Sequence, residues 1–442
     1  MKAEFGTDGV RGRFGDTIDA TLGWWIGYGA AKALGPGLIA VGRDTRPSGP
    51  ALSQAVIAGI RAAGSDAFDF GVVPTPALAW VVCSRSLAGG VMVTASHNPA
   101  ADNGLKVLMA GGHKADPAVR ARIEAELATS STPRAPGLRG KLLDAPGIAS
   151  WDPLQGLDLR GVRVVFDAAN GAAWGLGEAL LRAAGAEVRV VGTGEGARIN
   201  HQCGALHPGG LIAPMQAFDA HIGIALDGDG DRLGVVLATA QGPVTMDGDA
   251  MLWALAQDQA GGTVVGTVMS NLALETGLAA RGVRLVRTAV GDAEVWEGME
   301  AYNANFGGEP SGHLMFRHGG TDPVGSCGLA TAARLLAMGL PELQTRMARW
   351  VPAVQKHAVV GVSECQGLDP GEVGAHGLKG AVARRVEGAL STLNAEGARA
   401  VVRPSGTEPI VRVMVEHADG DVATRGVEAL VALLRGPNRA GG

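Results

Sequence analysis

The sequence is poor in residues on which several protein classes depend. Among its 442 residues are only two tyrosines, eight phenylalanines and four cysteines. Lys and Arg number 38 against 43 Asp and Glu, giving a net charge of −5, and the basic residues form no run. A nucleic-acid surface needs clustered cations with aromatic side chains among them. We therefore expect no nucleic-acid partner.

Long apolar runs and paired cysteines are missing too. No apolar stretch approaches the ~18 residues of a membrane-spanning helix. The chain starts MKAEFGTDGVRG, with charges and glycines where a secretory signal would be apolar. Cys83, Cys203, Cys327 and Cys365 form no C-x-x-C pair, so we expect free thiols rather than a zinc or redox site. These features predict a cytoplasmic protein with no membrane partner.

The sequence does contain much glycine, at 69 residues, and short apolar segments that alternate with Ala- and Leu-rich ones. GLIAVGRDTRPSG has the pattern of a strand and loop, and ALSQAVIAGIRAAG that of a helix ended by glycine. This rhythm predicts α/β units with largely parallel sheets. It restarts after the Pro-rich segment TSSTPRAPGLRGKLLDAPG, and the last segment favours a smaller α+β unit. We predict four domains, at 1–148, 149–244, 245–355 and 356–442.

The segment LDGDGDR places Asp227, Asp229 and Asp231 directly after the apolar segment HIGIAL. Alternating carboxylates repel one another unless a cation neutralises them, and oxygen ligands suit Mg²⁺ or Ca²⁺. A calcium EF-hand is excluded because its glycine and glutamate positions hold Arg232 and Ala238. An acidic solvated turn is the remaining alternative. The position at a strand end, where α/β sheets bind ligands, favours a metal site.

The segment VMVTASHNP places Ser96 and His97 at the end of another apolar strand. A serine hydrolase would need an acid partner and an oxyanion hole, and the G-x-S-x-G elbow is absent. Lys106 lies further along, at the end of SHNPAADNGLK, and could be a surface residue or a charge or proton-transfer partner of the serine. With a metal triad elsewhere in the chain, the serine favours phosphoryl transfer, in which positioning and charge neutralisation dominate.

Further polar loops could supply anion and sugar contacts. RPSGTEP joins the cation of Arg403 to hydroxyls and backbone N–H groups, a combination suited to phosphate, with Arg412 close behind. GGEPSGH offers Glu309, Ser311 and His313 for hydroxyl groups. FGTDGVRG holds Arg11 among glycines. Taken singly, the first two loops are equally consistent with ordinary turns.

Together and in this order, the segments resemble the α-D-phosphohexomutase superfamily over essentially the whole chain. FGTDGVRG, GTVMSN and INHQCGALHP are most similar to its bacterial phosphoglucosamine mutase branch. The resemblance implies three related α/β domains with mixed sheets and a smaller C-terminal α+β domain, like the TATA-box-binding protein, around a central cleft. It implies an isomerase that interconverts glucosamine 6-phosphate and glucosamine 1-phosphate, for UDP-N-acetylglucosamine and peptidoglycan precursors. The partner would be a small sugar phosphate. Members are often homodimers.

The resemblance also implies roles for individual residues. Ser96 would be the phosphoserine, working with a hexose bisphosphate intermediate. Mg²⁺ would be held by the Ser96 phosphate, Asp227, Asp229 and Asp231. The transferred phosphoryl group would lie near Arg11, His97 and Lys106. Of these, Lys106 is our choice for proton transfer, which near neutral pH needs a depressed pKa or a concerted transfer. The residues expected at the sugar are Arg232, Glu309, Ser311 and His313. Those expected at the non-reacting phosphate are Arg403, Ser405, Gly406, Thr407 and Arg412.

The sequence departs from the branch at two places, one in the loop of residues 307–313, called the sugar loop below, and one in the segment that follows it. Pro310 stands where glucosamine members usually carry Gln, and RHGGTDPVGS replaces a Thr-Gly-Asp-Gly type of segment. Proline fixes φ and removes a backbone donor, so the hydrogen bonding of this loop is expected to differ. The same chemistry on glucose or mannose phosphates therefore remains an alternative, as does a non-catalytic sugar-phosphate sensor.

Overall fold

The computed structural model describes residues 5–6, 8–128, 138–148, 150–259, 261–317, 326–365, 373–374, 377–378, 380–404 and 410–436. Within them the chain forms four sheets of three or more strands and one two-stranded hairpin. None of the helices in these residues is both long enough and apolar enough to cross a membrane. The sheets follow one another along the chain.

The first unit is a six-stranded sheet in the order β1-β5-β4-β2-β3-β6. Strands β2, β3, β4 and β6 run parallel, whereas β5 is antiparallel to both β4 and β1. The central strand β4 is buried along its whole length, as expected for a sheet covered on both faces. The elements are β1 (Val10–Arg13), α1 (Ala20–Leu34), β2 (Leu38–Arg43), α2 (Gly49–Ala63), β3 (Asp66–Val72), α3 (Thr75–Ser84), β4 (Gly89–Val93), β5 (Asp102–Met109), α4 (Pro117–Ala128) and β6 (Leu142–Asp144).

The second unit is a five-stranded sheet in the order β11-β10-β9-β7-β8. The strands β7, β8 and β9 are parallel, β10 is antiparallel to β9, and the edge strand β11 is antiparallel to β10. The turn between β9 and β10 therefore lies at the carboxyl end of a buried strand. The elements are β7 (Arg163–Asp167), α5 (Trp174–Ala183), β8 (Glu187–Val191), α6 (Ile212–Phe218), β9 (Ile222–Leu226), β10 (Leu233–Thr239) and β11 (Gly242–Met246).

The third unit is a four-stranded sheet in the order β13-β12-β14-β15. Strands β13, β12 and β14 are parallel, and the short hairpin β14–β15 closes one edge. The elements are α7 (Gly248–Ala256), β12 (Thr263–Thr267), α8 (Leu272–Ala279), β13 (Arg284–Thr288), α9 (Asp292–Ala301), β14 (Phe306–Gly308), β15 (Leu314–Phe316), α10 (Gly328–Ala337) and α11 (Leu340–Met347).

The fourth unit is a three-stranded antiparallel sheet in the order β16-β20-β19, accompanied by two helices. Helix α13 packs on β16 and β20. The elements are β16 (Val354–Gly361), β17 (Val373–Gly374), β18 (Gly377–Leu378), α12 (Gly380–Ala395), β19 (Arg399–Pro404), β20 (Ile410–His417) and α13 (Gly420–Arg435).

The apolar core clusters are not distributed one to each unit. One continuous cluster contains Leu78 of the first unit, Phe166 of the second and Trp253 of the third. The fourth unit instead has its own cluster, which includes Val411 and Leu430. Three units are thus joined by apolar packing, and the fourth forms a separate core. The predicted α/β class with a smaller C-terminal α+β unit is confirmed, while the predicted domain boundaries stay a prediction.

Candidate active site

Ser96 lies just past the end of β4, in a loop that holds it in an unusual conformation. Its φ is 51°, a left-handed value that a non-glycine residue rarely adopts. Its backbone N–H donates to Oγ1 of Thr94 at 2.9 Å, and its hydroxyl donates to Oδ2 of Asp227 at 2.6 Å. The side chain is buried, with only 1% exposed. The loop thus fixes the hydroxyl against the loop of a different unit.

A buried guanidinium holds the serine loop, residues 94–101 between β4 and β5, in place. Arg46 is fully buried and donates to the carbonyls of Ser96 and Asn98 at 2.9 and 2.8 Å, and its Nε pairs with Asp44 at 2.9 Å. From the second unit, the amide of Asn200 donates to the same two carbonyls at 2.8 and 3.0 Å. Because so many donors converge on one short loop, the left-handed backbone at Ser96 is held by its surroundings.

Asp227, Asp229 and Asp231 lie in the turn between β9 and β10, as the sequence predicts. All three are buried, and one oxygen from each lies within 4.8 Å of the other two. Oδ1 of Asp229 and Oδ1 of Asp231 are buried without a hydrogen-bond partner in the part of the chain that the structure describes. Buried carboxylate oxygens without donors are costly unless a cation meets them. The donor set therefore fits a hard divalent cation such as Mg²⁺.

Gly228 lies in the turn between β9 and β10, residues 227–232, which we call the metal loop. This glycine allows the metal loop to approach the serine loop. A Cβ at this position would lie 2.7 Å from the carbonyl oxygen of Ser96 and 2.9 Å from Nδ2 of Asn200. Such distances are too short for any side chain. The spacing of glycines between the three aspartates thus provides the close approach as well as the backbone bend.

Lys106 and Thr75 contact the metal loop from the first unit. The ammonium of Lys106 lies 2.7 Å from Oδ2 of Asp229 and 3.2 Å from Oδ2 of Asp231. The hydroxyl of Thr75 donates to the same oxygen of Asp229 at 2.6 Å. Burial alone would lower the pKa of Lys106, but Asp229 and Asp231 outweigh burial and raise it. In this state Lys106 is a cation, and its role in proton transfer stays a prediction.

The charges of the aspartates depend strongly on their neighbours. Burial, and then the neighbouring Asp231 and Asp229, raise the pKa of Asp227 well above its usual value. Burial also opposes ionisation of Asp231, but Lys106, His313 and Arg232 outweigh it and lower the pKa of Asp231. Without a cation, Asp227 is therefore harder to ionise than Asp231.

His97 does not activate Ser96 in this arrangement, because the serine hydroxyl donates to Asp227. Burial, with the nearby charge of Arg232, lowers the pKa of His97 to about 4, so its imidazole is neutral near pH 7. Its Nδ1 is buried without a hydrogen-bond partner among the described residues. His97 borders a small cavity together with Asn200 and Asp227. His97 thus lies beside Asn200 and Asp227, and its role in the reaction stays a prediction.

Arg232 and Arg11 bring positive charge to the cluster. The Nε of Arg232 is buried and lies 4.0 Å from Oδ2 of Asp227 and 4.0 Å from Oδ1 of Asp231. Arg11, on β1, pairs with Asp8 at 3.1 Å and has 19% of its side chain exposed. The roles that the resemblance implies, Arg11 near the transferred phosphoryl group and Arg232 at the sugar, stay predictions.

The sugar loop lies against the metal loop. Leu233, which follows Arg232, donates its backbone N–H to the carbonyl of Gly312 at 3.0 Å. Glu309 and His313 are buried, and the hydroxyl of Ser311 is buried without a partner among the described residues. The predicted residues Glu309, Ser311 and His313 are therefore brought to the metal loop. His313 and Asp231 both line a cavity of about 350 Å³.

Pro310 is compatible with the geometry of this loop. The turn is closed by N–H groups at Glu309 and Gly312, which donate to the carbonyls of His313 and Glu309, each at 3.0 Å. The carbonyl of Pro310 accepts from Gly248 at 3.0 Å. Proline therefore costs the turn none of these bonds. Residues 318–325, which make up most of the second departure, lie outside the described residues.

Arg403 and Arg412 are directly opposite each other on β19 and β20. Burial and the charge of Arg412 lower the pKa of Arg403. The two cations border a cavity of about 150 Å³ with Met269 and His357. Two guanidinium groups beside one cavity offer charged donors to an anion. The pair therefore suits phosphate. Ser405, Gly406 and Thr407 lie outside the described residues.

Several residues of the site could not be assigned from the sequence. Thr75 and Asn200 have no local motif that marks them as contacts of the metal and serine loops. Arg46 lies in the polar segment GRDTRPSG, which contains nothing that marks it as a contact of the serine loop. Their contacts run between elements far apart in the chain, so only the folded arrangement shows them.

Comparison with known proteins now adds to this geometry. Three family models match, described as phosphoglucomutase/phosphomannomutase alpha/beta/alpha domain I (residues 2–134), alpha/beta/alpha domain III (residues 247–353) and C-terminal domain (residues 344–433). A phosphoglucosamine mutase of Rhodococcus opacus is 40% identical, with 97% of this chain and 98% of the relative covered. The chain belongs to the phosphoglucosamine mutase family. A second member, from Moorella thermoacetica, is 39% identical, with 94% of this chain and 95% of the relative covered.

Solved structures of the wider phosphohexomutase group share the fold. A phosphoglucomutase/phosphomannomutase family protein of Burkholderia thailandensis has a TM-score of 0.75 at 27% identity, covering 98% of each chain. An N-acetylphosphoglucosamine mutase of Aspergillus fumigatus, solved with GlcNAc-6P and magnesium, has a TM-score of 0.61 at 17% identity, covering 98% of this chain and 95% of that chain. The comparisons confirm that this phosphoglucosamine mutase family member resembles the phosphohexomutases, as its sequence motifs indicate.

Proposed function

We propose that this protein is an isomerase that interconverts glucosamine 6-phosphate and glucosamine 1-phosphate, through a phosphoserine at Ser96 and a hexose bisphosphate intermediate. The observation that carries the proposal is the contact of Ser96 with the aspartate cluster, at 2.6 Å from Asp227, in a member of the phosphoglucosamine mutase family. The product would supply UDP-N-acetylglucosamine for peptidoglycan precursors.

In the proposed reaction, the bond between phosphorus and Oγ of Ser96 breaks as a bond forms from phosphorus to O1 of the sugar, and the O1 proton leaves to a base. The resulting bisphosphate turns over in the cleft and returns its other phosphoryl group to Ser96. Mg²⁺ held by the Ser96 phosphate, Asp227, Asp229 and Asp231 would neutralise charge on the transferring group. Arg11 and Lys106 add fixed positive charge, which stabilises the transition state without reorganisation.

Glu309, Ser311 and His313 are proposed to hold the sugar, with Arg232 nearby, and the Arg403–Arg412 pair to hold the non-reacting phosphate. Because the bisphosphate must present either end to Ser96, the phosphate site has to bind it in two orientations. The separate core of the fourth unit supports movement of that unit relative to the other three.

The decisive experiment is a coupled assay for glucosamine 1-phosphate, with Mg²⁺ and a trace of hexose bisphosphate, combined with mass spectrometry of the active protein. We expect turnover and phosphate on Ser96. Ser96→Ala should abolish turnover and keep the fold, and Ser84→Ala, an exposed serine of the same unit, is the matched control. Phosphate on another residue, or full activity of Ser96→Ala, would refute the mechanism.

The same chemistry on glucose or mannose phosphates is the second candidate, and the Pro310 departure favours keeping it. Values of kcat/KM for glucosamine, glucose and mannose 6-phosphates decide between the two. A preference for glucose or mannose phosphate would leave the mechanism standing and change the substrate.

A further inference from the structure

Lys114 is brought into the cleft by a tight reversal of the chain after β5. Met109 donates its N–H to the carbonyl of His113 at 2.7 Å, and Lys114 forms an antiparallel bridge with Leu108. Residues opposite each other in an antiparallel pair point to the same face, and so do alternate residues of one strand. Lys114 therefore shares a face with Lys106, which contacts the metal loop.

The ammonium of Lys114 joins two units of the protein. It binds Oδ1 of Asp8, in the first unit, and Oδ2 of Asp292, the first residue of α9 in the third. The side chains of Lys114 and Asp292 are only 21% and 10% exposed. Burial alone would lower the pKa of Lys114, but Asp8 and Asp292 outweigh burial and raise it. The contact is thus a largely buried ion triad with one cation between two carboxylates.

Each carboxylate of the triad leads to a residue of the proposed active site. The other oxygen of Asp8 binds the guanidinium of Arg11 at 3.1 Å. On the opposite side, Gly291, next to Asp292, donates its N–H to Oε1 of Glu309 at 3.1 Å. A continuous set of contacts therefore runs from Arg11, at the phosphoryl end of the site, to Glu309, in the sugar loop.

The triad also borders the cleft itself. Lys114 and Asp292 lie on the wall of the same cavity of about 350 Å³ as Asp231 and His313. Loss of Lys114 would leave Asp8 to bind Arg11 alone. It would also leave the Asp292 charge without its ammonium partner on the wall of the cavity that His313, a proposed sugar contact, borders. Both changes oppose binding of an anion, beyond any loss of packing.

We infer that Lys114 is a positioning residue that sets Arg11 and the Glu309 loop relative to each other through Asp8 and Asp292. This inference rests on the proposed function, because its readout is sugar-phosphate turnover. Lys114 touches neither the serine nor the metal loop by any hydrogen bond found in the described residues. Its effect on the reaction is therefore indirect, through the two residues at either end of the set of contacts.

The test compares Lys114→Met with Lys141→Met, an exposed lysine of the same unit. We expect Lys114→Met to lower kcat/KM by about 10-fold or more and to raise KM, because binding geometry is lost in every molecule. A purely structural role would lower only the fraction of folded, active enzyme, which reduces kcat and leaves KM unchanged. Lys114→Arg, which keeps the charge, should restore most of the activity.

Two further variants separate positioning from folding. Lys114→Met/Asp292→Asn removes one charge of each sign, and it should recover several-fold in kcat/KM over Lys114→Met because the unpaired carboxylate is gone. In a double-mutant cycle, Lys114→Met and Glu309→Gln should be non-additive by about 3-fold or more, as expected for coupled residues.

The outcomes are distinguishable from failure of the proposed function. If the wild-type protein turns over no hexose phosphate, the proposed function is wrong. If it does, and Lys114→Met matches Lys141→Met in kcat and KM, the inference is overturned. Additivity with Glu309→Gln, or an unchanged KM in both the single and the charge-balanced variants, overturns it as well.

Discussion

The hydroxyl of Ser96 lies 2.6 Å from Oδ2 of Asp227, although the two residues are 131 positions apart in the sequence. The contact joins the loop after β4 in the first unit to the loop after β9 in the second. It places the group proposed to carry phosphate on one of the carboxylates proposed to bind metal. The separate motifs of serine and aspartates thereby become a single site.

We expect Asp229→Asn to lower Mg²⁺ affinity and turnover severely. Asp229 receives hydrogen bonds from Lys106 and Thr75 and has a second buried oxygen without a partner among the described residues. The amide removes one ligand charge, and we expect a loss of about 100-fold or more in kcat, on the scale of removing a group that stabilises the transition state. The measurement is kcat as a function of Mg²⁺ concentration, after chelator treatment.

The control for this prediction is Asp219→Asn, in the same unit, whose side chain is 94% exposed. Its backbone has a φ of 50°, which asparagine tolerates. Turnover of Asp219→Asn should match the wild type. Full activity of Asp229→Asn without added metal would contradict the metal site.

Thr75→Val should weaken Mg²⁺ binding while Thr75→Ser should not. The hydroxyl of Thr75 donates to Oδ2 of Asp229 at 2.6 Å and so orients that carboxylate. Loss of a residue that orients a metal ligand typically costs about 10- to 100-fold in metal affinity or activity. Valine keeps the shape and removes the donor, and serine keeps the donor. Titration of Mg²⁺ against activity measures the effect, and equal affinity in all three proteins would argue against it.

Arg399 should control the position of the fourth unit. Its guanidinium donates to the backbone carbonyls of Val268 and Ser270, in the third unit, and pairs with the buried Glu416. Arg403 of the proposed phosphate site follows on the same strand. Loss of the clamp should therefore raise KM for the sugar phosphate by about 10-fold, with a smaller effect on kcat, as expected when binding is lost in ground and transition states alike.

The variant for this test is Arg399→Met/Glu416→Gln, which avoids leaving the buried Glu416 charge unpaired. Arg425→Ala, on the exposed face of α13, is the control. Steady-state kinetics give KM and kcat, and circular dichroism checks the fold. An unchanged KM in a folded double variant would show that other contacts hold the fourth unit.

Asp249 should make stability fall as pH rises. Burial, and then the charge of Asp247, raise the pKa of Asp249 to about 7, against Asn271 and Arg287, which favour its ionised form. The unfolded carboxyl titrates near a pKa of about 3.9. The folded protein thus keeps a proton that the unfolded chain releases, so the stability from this group is full below pH of about 4 and is lost as pH rises through about 7.

Asp249→Asn cannot titrate, and it should therefore lose less stability than the wild type between about pH 4 and pH 7, the interval between the unfolded and folded pKa values. Urea unfolding at several pH values measures this slope. Asp16→Asn, whose side chain is 71% exposed, should show the wild-type slope. A slope in Asp249→Asn equal to that of the wild type would contradict the prediction.

The sequence alone predicts those features of the site and fold that depend on residues close together in the chain. The spacing of Asp227, Asp229 and Asp231 with glycines indicates a cation site, since alternating carboxylates need a flexible backbone and a charge partner. Apolar strands before Ser96 and Asp227 place both at strand ends. The βα rhythm indicates α/β units with largely parallel sheets. Each of these signals depends only on near neighbours in the chain.

The relations between loops depend on the tertiary structure. Thr75 and Asn200 meet the metal and serine loops only because helix and loop from different units pack together, and no pattern near either residue indicates it. Lys114, between Asp8 and Asp292, is likewise an ordinary lysine until the first and third units meet. Residue types and periodicity thus determined the class of chemistry. The distances between the side chains, their burial and their ion pairs depend on contacts between residues far apart in the chain. Only the folded structure brings those residues together.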